Sequence, residues 1–451
     1  MSAGVRVERD LIGERRLADS ALHGLQTERA LENFPRLGDR VGDVPEFGRA
    51  LGAVKLAAAR ANAALGVIEP PLSEALERAC AELAAGEPEL LAALTVPIIQ
   101  GGAGTSTNMN VNEVIANRTL ELLGREPGEY AYCHPNDHVN RSQSTNDVYP
   151  TALRLALIER QAAVDAALRS LAAKLAERAD AHVGIVKLGR TQLQDAVVVS
   201  AEAELRAWAD QCVAAAEGLR RATEPLLEVN LGGTAVGTGV GAHPEFPQRA
   251  VAALAEATGH RFRHPARLVS ATSDPTPLHG YSAALRGAAV DLSKLADDLR
   301  LLSSGPAAGL AEVELPPVQA GSSIMPGKVN PVIPEFVNQL AFRVYGADTA
   351  AAFALSAGQL QLNAMLPLVS NELFEAQHAL QIAAVTLRDR CIEGLSYRRE
   401  RAAEYAARGL DELVQAALVG GYAAAGELAA LGAEAAAADT KSPNDGASCR
   451  S

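Results

Sequence analysis

Apolar positions along the middle of this chain recur at the spacing of long helices. Over residues 151–181, in TALRLALIERQAAVDAALRSLAAKLAERADA, the positions Leu153, Leu157, Val164, Ala167, Leu168, Leu171 and Leu175 form one stripe with a period of about 3.6 residues. Similar patterns predict helices over residues 200–226, 277–302, 331–357 and 366–391. Helices of more than about 25 residues suit a bundle rather than a small mixed domain. Before residue 140 the patterns are shorter. One runs through Leu51, Val54, Leu56 and Ala59 to a stop at Pro70-Pro71, and a second carries Leu76, Ala79, Leu83 and Ala84. After Tyr397 the chain is Ala-rich and weakly patterned, and its end, ADTKSPNDGASCRS, reads as a disordered tail.

A chain of 451 residues exceeds one ordinary core and implies two or three domains. The patterns predict an all-α fold in three consecutive parts. Residues 1–140 form a mainly helical domain, residues 141–396 a central bundle of long helices, and residues 397–451 a short, atypical C-terminal region. The composition agrees: 48% of residues are hydrophobic, 21% charged and only 4% aromatic, with Ala and Leu, which lose least on entering a helix, dominant.

The net charge of −13, with no basic block, is a poor match for nucleic acid or an anionic membrane. No uninterrupted apolar run approaches the length of a bilayer span. The charged N-terminus, MSAGVRVERDLIGERR, lacks the apolar core of a signal peptide. Five scattered cysteines, Cys80, Cys133, Cys212, Cys391 and Cys449, show no CxxC or zinc spacing and read as reduced thiols of a cytoplasmic protein. No metal and no cofactor is expected.

Four polar segments interrupt the helical background: residues 101–108 (GGAGTSTN), 142–147 (SQSTND), 189–195 (GRTQLQD) and 321–331 (GSSIMPGKVNP). Alone, the first three are ordinary turns, caps or surface loops. The fourth is harder to dismiss, being dense in Gly, Pro and hydroxyls between two long helices. Together they offer many hydrogen-bond donors and little net charge. An acidic protein cannot draw in an anion through its overall field, so a dicarboxylate site has to be built locally from hydroxyls, amides and helix N-termini. In the last segment Gly321 and Gly327 permit unusual backbone angles. Asn330 followed by Pro331 reads as an N-cap with proline at the first helical position. A serine there, beside Lys328 and several backbone amides, loses its proton more easily than a free hydroxyl. His138, beside SQSTND, reads as structural.

These segments resemble the aspartase/fumarase superfamily. GSSIMPGKVNP matches its signature loop, and RDLIGER, QGGAGTSTNMNVNEV, PNDHVNRSQSTND, GRTQLQDA and AGQLQLN extend the resemblance over residues 9–417. It implies a homotetramer with active sites shared between subunits and a small dicarboxylate substrate. It also assigns roles: Ser322 as the base, Lys328 and Asn330 on one carboxylate, and Thr105, Ser144, Thr145 and Thr191 around the carboxylate that becomes an enediolate. Asn146 and Gln192 are placed on the amino group, and Ser323 is a neighbouring binding hydroxyl. Gly104-Thr105-Ser106 and Ser144-Thr145-Asn146 are similar to the aspartase branch, and Gln192 stands where fumarases place a His. The implied reaction is elimination of ammonia from L-aspartate to give fumarate. A lyase for an N-substituted aspartate or another substituted succinate, and less so a fumarate hydratase, are the alternatives. The chain departs from the pattern at Ala307, where Arg is usual, at Val198, Glu202 and Ala203, which replace Pro, Gly and Gln, and at Gly241, which replaces Asn.

Overall fold

The computed structural model describes residues 4–439. The expected tail, apart from its first two residues, and Cys449 lie outside the described residues. The chain is all-α in character, with three two-stranded antiparallel pairs as its only strands among the described residues. In chain order the helices are α1 (Leu25–Asn33), α2 (Pro45–Ala64), α3 (Leu72–Ala85), α4 (Pro88–Ala92), α5 (Thr105–Leu122) and α6 (Thr145–Ala181). They continue with α7 (Ala201–Thr223), α8 (Phe246–Thr258), α9 (Leu268–Ser273), α10 (Thr276–Leu302), α11 (Val332–Ser356), α12 (Leu366–Arg390), α13 (Arg399–Ala406) and α14 (Asp411–Asp439). The strand pairs are β1 (Val5–Arg9) with β2 (Glu14–Ala18), β3 (Val186–Thr191) with β4 (Gln194–Ser200), and β5 (Val313–Glu314) with β6 (Ser396–Tyr397).

The five long patterns read from the sequence correspond to α6, α7, α10, α11 and α12 within a few residues. The larger difference is at α6, which starts at Thr145 rather than near residue 151 because two polar side chains cap it. Ser144 Oγ accepts from Asn146 N at 3.2 Å, and Asp147 Oδ1 accepts from Ser144 N at 3.0 Å. This is a variant of the capping box, with the Ser144 oxygen on the amide of the second helical residue rather than the third. Pro150 lies inside the helix and cannot donate to the carbonyl four residues back, that of Asn146. Asn230 Nδ2 donates to that carbonyl instead, at 2.9 Å.

The chain falls into two compact units. Among the described residues one comprises 4–169, 212–294 and 336–385, and the other 170–211, 295–335 and 386–439. In the first, the Phe47 ring meets Tyr149 edge-on at 5.4 Å and Phe374 at 5.3 Å. Tyr281 Oη donates to Gln161 Oε1 at 2.6 Å. Gln377 Nε2 donates to Tyr281 Oη at 2.6 Å and to the Leu157 carbonyl at 2.9 Å. This chain of polar groups joins α6, α10 and α12 inside an apolar core. Helices α2 and α3 approach closely because Gly52 has no side chain; a Cβ there would lie 2.5 Å from Ala84 N.

The second unit centres on Glu312, which is fully buried. Its carboxylate accepts from Arg190 Nη1 at 2.9 Å and lies 3.6 Å from Lys187 Nζ. Lys187 also donates to Glu204 at 3.1 Å, and Glu204 accepts from Tyr397 Oη at 2.5 Å. The network pins the β3–β4 hairpin to its surroundings.

The helical stretch Arg399–Ala430 is long and apolar enough, by length and composition, to cross a bilayer. It is not one helix: residues 407–410 are non-helical, and Gly421 leaves helical geometry (φ 83°, ψ 169°). Such breaks leave backbone groups that hydrocarbon cannot satisfy.

Glu312→Ala leaves Lys187 and Arg190 without their shared buried carboxylate. We expect a loss of about 3–5 kcal/mol of stability, read as a lowered urea midpoint with unchanged slope.

Candidate active site

The ten residues singled out above fall on four loops. In the first compact unit these are the start of α5 (Thr105) and the start of α6 (Ser144, Thr145, Asn146). In the second they are the tip of the β3–β4 hairpin (Thr191, Gln192) and the loop before α11 (Ser322, Ser323, Lys328, Asn330).

At α5, Gly104 is left-handed (φ +90°), and a Cβ there would meet the Tyr149 ring at 2.2 Å. Only glycine fits. Thr105 follows, exposed, with its hydroxyl donating to the Gly102 carbonyl at 2.7 Å.

At α6 the capping box holds Ser144, Thr145 and Asn146 in line. Asn146 Nδ2 donates to the Ala235 carbonyl at 2.8 Å. Beneath this loop lies a buried polar hub absent from the expectations above. Asp147 has no exposed surface, and its second oxygen accepts from Gly232 N at 3.0 Å and Thr234 N at 2.9 Å. Burial raises its carboxyl from an ordinary 3.8 to about 6, against the pull of the Ser144, Thr234 and Gly232 amides and the charge of Lys55. Lys55, on α2, is buried and donates to Asn140 Oδ1 at 3.1 Å and Gln143 Oε1 at 2.9 Å. Burial lowers its amine to about 7, with Asp147 and Cys80 opposing. Asn140 Oδ1 also accepts from Asn108 Nδ2 at 3.1 Å and Asn112 Nδ2 at 3.3 Å. The Thr105 helix and the Ser144 loop therefore share one anchor. The signal for Lys55 was present: a single lysine deep in an Ala-rich apolar helix. Asp147 was present too, as the last residue of SQSTND. His138 is structural, its Nδ1 accepting from His134 N at 2.8 Å.

In the hairpin, Gln192 and Leu193 both take positive φ (55° and 63°), the requirement of a two-residue type I′ turn. The segment read as a loop is thus the tip of a strand pair favoured by Val197, Val198 and Val199. Both Thr191 and Gln192 are exposed.

In the loop before α11, Ser322 Oγ accepts from Ile324 N at 3.2 Å and Met325 N at 3.1 Å. The loop closes through Gly321 N, which donates to the Lys328 carbonyl at 2.8 Å. Gly321 is required by close approach: a Cβ there would lie 2.6 Å from that carbonyl oxygen. Gly327 supplies the positive φ (+82°). Asn330 is not the N-cap. Its Nδ2 donates to the Gly321 carbonyl at 2.9 Å, and Pro331 supplies the first helical acceptor, to Glu335 N. A proline carbonyl opens the helix while the asparagine amide is used to close the loop. Ser323 and Lys328 are exposed.

Two backbone amides on a serine oxygen favour its ionised form. Hydroxyls and amides at helix starts suit carboxylate oxygens. With this geometry in hand, similarity to known proteins decides the family: the profile of a family described as lyase matches residues 13–346. The chain belongs to the aspartase/fumarase superfamily. It is similar to the aspartate ammonia-lyase of Pseudomonas aeruginosa, 48% identical over 89% of this chain and 85% of that one. The aspartate ammonia-lyase of Escherichia coli is 46% identical over 89% and 84%. Among solved structures, a fumarate lyase:delta crystallin from Brucella melitensis superposes with a TM-score of 0.92 at 43% identity, covering 96% of this chain and 94% of that one. A class II fumarase from Schistosoma mansoni gives 0.89 at 32% identity, covering 94% and 92%.

Two outcomes follow from the hub. The folded carboxyl of Asp147 binds its proton more tightly than an unfolded one, so folding takes up a proton between pH 4 and 6 and stability falls as pH rises through that window. Asp147→Asn should remove that component from a plot of urea midpoint against pH. Lys55→Met should leave the circular dichroism spectrum intact and lower kcat/KM by roughly 10–100-fold, since the amides of Asn140 and Gln143 lose their common donor.

Proposed function

We propose that the protein is an aspartate ammonia-lyase, a carbon–nitrogen lyase that converts L-aspartate to fumarate and ammonia reversibly. The observation that carries the reading is the loop at residues 321–330. It holds a serine oxygen under two backbone amides, in a chain 45–48% identical to proteins named aspartate ammonia-lyase.

The difficult step is loss of a weakly acidic proton from the carbon beside a carboxylate. Ser322 Oγ takes that proton, and the electron pair moves onto the carboxylate to give an enediolate dianion. Thr105, Ser144, Thr145 and Thr191 donate to it; preorganised donors at such a charge commonly contribute about 2.7–4 kcal/mol each. Lys328 and Asn330 hold the other carboxylate, with the Ser323 hydroxyl beside them. Asn146 and Gln192 face the amino group. Collapse of the enediolate forms the double bond as the C–N bond breaks; the protonated amino group departs with that electron pair as ammonia, and the proton held by Ser322 passes to solvent. Gln192 in place of an imidazole leaves no base at that position to activate water, which disfavours hydration of fumarate.

The reading extends to a homotetramer in the cytoplasm, with each active site assembled from several subunits and with the three-part division at residues 140 and 396. The two sets of donors in two compact units, with Thr105, Thr191, Gln192 and Lys328 all exposed, are consistent with completion by other copies.

The test is fumarate absorbance on mixing protein with L-aspartate, beside parallel reactions with N-substituted aspartates. Ser322→Ala should lower kcat by roughly 10²–10⁴-fold with an unchanged thermal midpoint. Full activity in that variant removes the serine from the mechanism; activity only on a substituted aspartate replaces the substrate.

A further inference from the structure

A cavity with two arginines on its wall opens in the first compact unit, away from the four loops. Arg154 lies on α6, nine residues beyond Thr145 and so roughly 13 Å further along the helix axis. The residue is 3% exposed. Its Nη1 donates to the Glu228 backbone carbonyl, its Nε has no acceptor, and no carboxylate closes on it as an ion pair among the described residues. A buried guanidinium normally has a carboxylate partner, because an uncompensated buried charge is costly.

Beside it opens a cavity of about 330 Å³, lined by Arg154, Arg267, Ser270, Glu228, Asp274 and Ala266 among others. Two carboxylates also stand on its wall, and neither forms an ion pair with Arg154. Glu228 pairs with Arg263 at 3.3 Å, and Asp274 Oδ1 accepts from Thr276 N at 2.9 Å. The guanidinium of Arg267, exposed at the rim, forms no hydrogen bond or ion pair among the described residues. Burial lowers the Arg154 guanidinium to about 10, with Asp274 and Glu228 opposing, which leaves it charged at neutral pH.

We propose that this cavity binds a small oxyanion, carboxylate or phosphate, between Arg154 and Arg267 with the Ser270 hydroxyl at its edge. The planar guanidinium that lines the cavity suits the oxygens of an anion, which is what distinguishes arginine from lysine. The site adjoins the strap that holds the substrate loop. Two residues beyond Glu228, Asn230 donates both to the Asn146 carbonyl and, at 3.1 Å, to Thr272 Oγ1 on α9, the helix that carries Ser270.

The experiment is calorimetric titration of the full-length protein, in chloride-free buffer, with inorganic phosphate in one arm and acetate in the other. Saturable binding of one or both, at one site per chain, is expected, and the stronger arm identifies the anion's class. Arg154→Met and, separately, Ala266→Phe, which fills the cavity from the rim and leaves the Arg154–Glu228 bond in place, should each weaken binding more than about tenfold. Lys328→Met should leave it unchanged. Absence of saturable binding by either anion overturns the proposal, as does binding that survives Ala266→Phe. Loss of binding in Lys328→Met assigns the anion to the substrate loops and overturns it equally.

Discussion

A carboxylate sealed from solvent fixes the geometry of half the candidate site. Asp147 closes the capping box of α6 with one oxygen and collects the amides of Gly232 and Thr234 with the other. A loop of small polar residues would otherwise sample many conformations, because Ser, Thr and Asn compete for their own backbone in several ways. One buried acceptor with three amide donors removes that freedom. The cost is desolvation, visible in the raised carboxyl, and it is offset by the amides and by the ammonium of Lys55. Lys55 then spends its hydrogen bonds on Asn140 and Gln143 rather than on Asp147 directly. The loop is thus held from both ends, by Asp147 below the helix start and by Asn140 and Gln143 before it.

This arrangement answers the electrostatic problem of an acidic chain that handles dianions. A net charge of −13 repels the ligand at long range. The remedy is short-range and nearly neutral: hydroxyls, side-chain amides and backbone N–H groups fixed at helix starts and in a closed loop. Such donors need no reorganisation when charge appears. They also explain the glycines. Gly104 lets α5 begin against the Tyr149 ring, and Gly321 lets the signature loop fold back onto its own carbonyl. Neither position tolerates a Cβ, so the donors' placement depends on what those residues lack.

The long helices were legible because a 3.6-residue apolar period survives any detail of packing. Their ends were less so. Helix α6 begins six residues before its apolar stripe, since capping by Ser144 and Asp147 is a polar event with no hydrophobic signature. Asn330 was misread for a related reason. An Asn-Pro pair is compatible with a cap, and only the three-dimensional closure of the loop shows the amide spent on Gly321. The β3–β4 hairpin was hidden because its turn uses Gln192-Leu193 rather than the Asn-Gly pair that marks a type I′ turn in sequence. Lys55 was legible as an oddity, without a sequence rule to say what it served.

The departures from the family pattern act on supports rather than on donors. Gly241 stands at φ +90° with open space around its Cβ position. Gly and Asn are the two residues that enter that region most readily, so one replaces the other without moving the backbone. Val198, where relatives carry Pro, donates its N–H to the Asp411 carboxylate at 3.1 Å. A proline has no such donor, and the bond ties β4 to the first turn of α14. Ala307 lies on the wall of a cavity of about 630 Å³, lined also by Arg398, Arg399, Arg401, Glu314, Glu400 and Glu404. Arg401 reaches the carbonyls of Gly309 at 3.4 Å and Leu310 at 3.2 Å. A guanidinium from the C-terminal segment thus supports the loop from which the family's own arginine is absent. β4 is thus tied to α14 through Asp411, and residues 309–310 to α13 through Arg401.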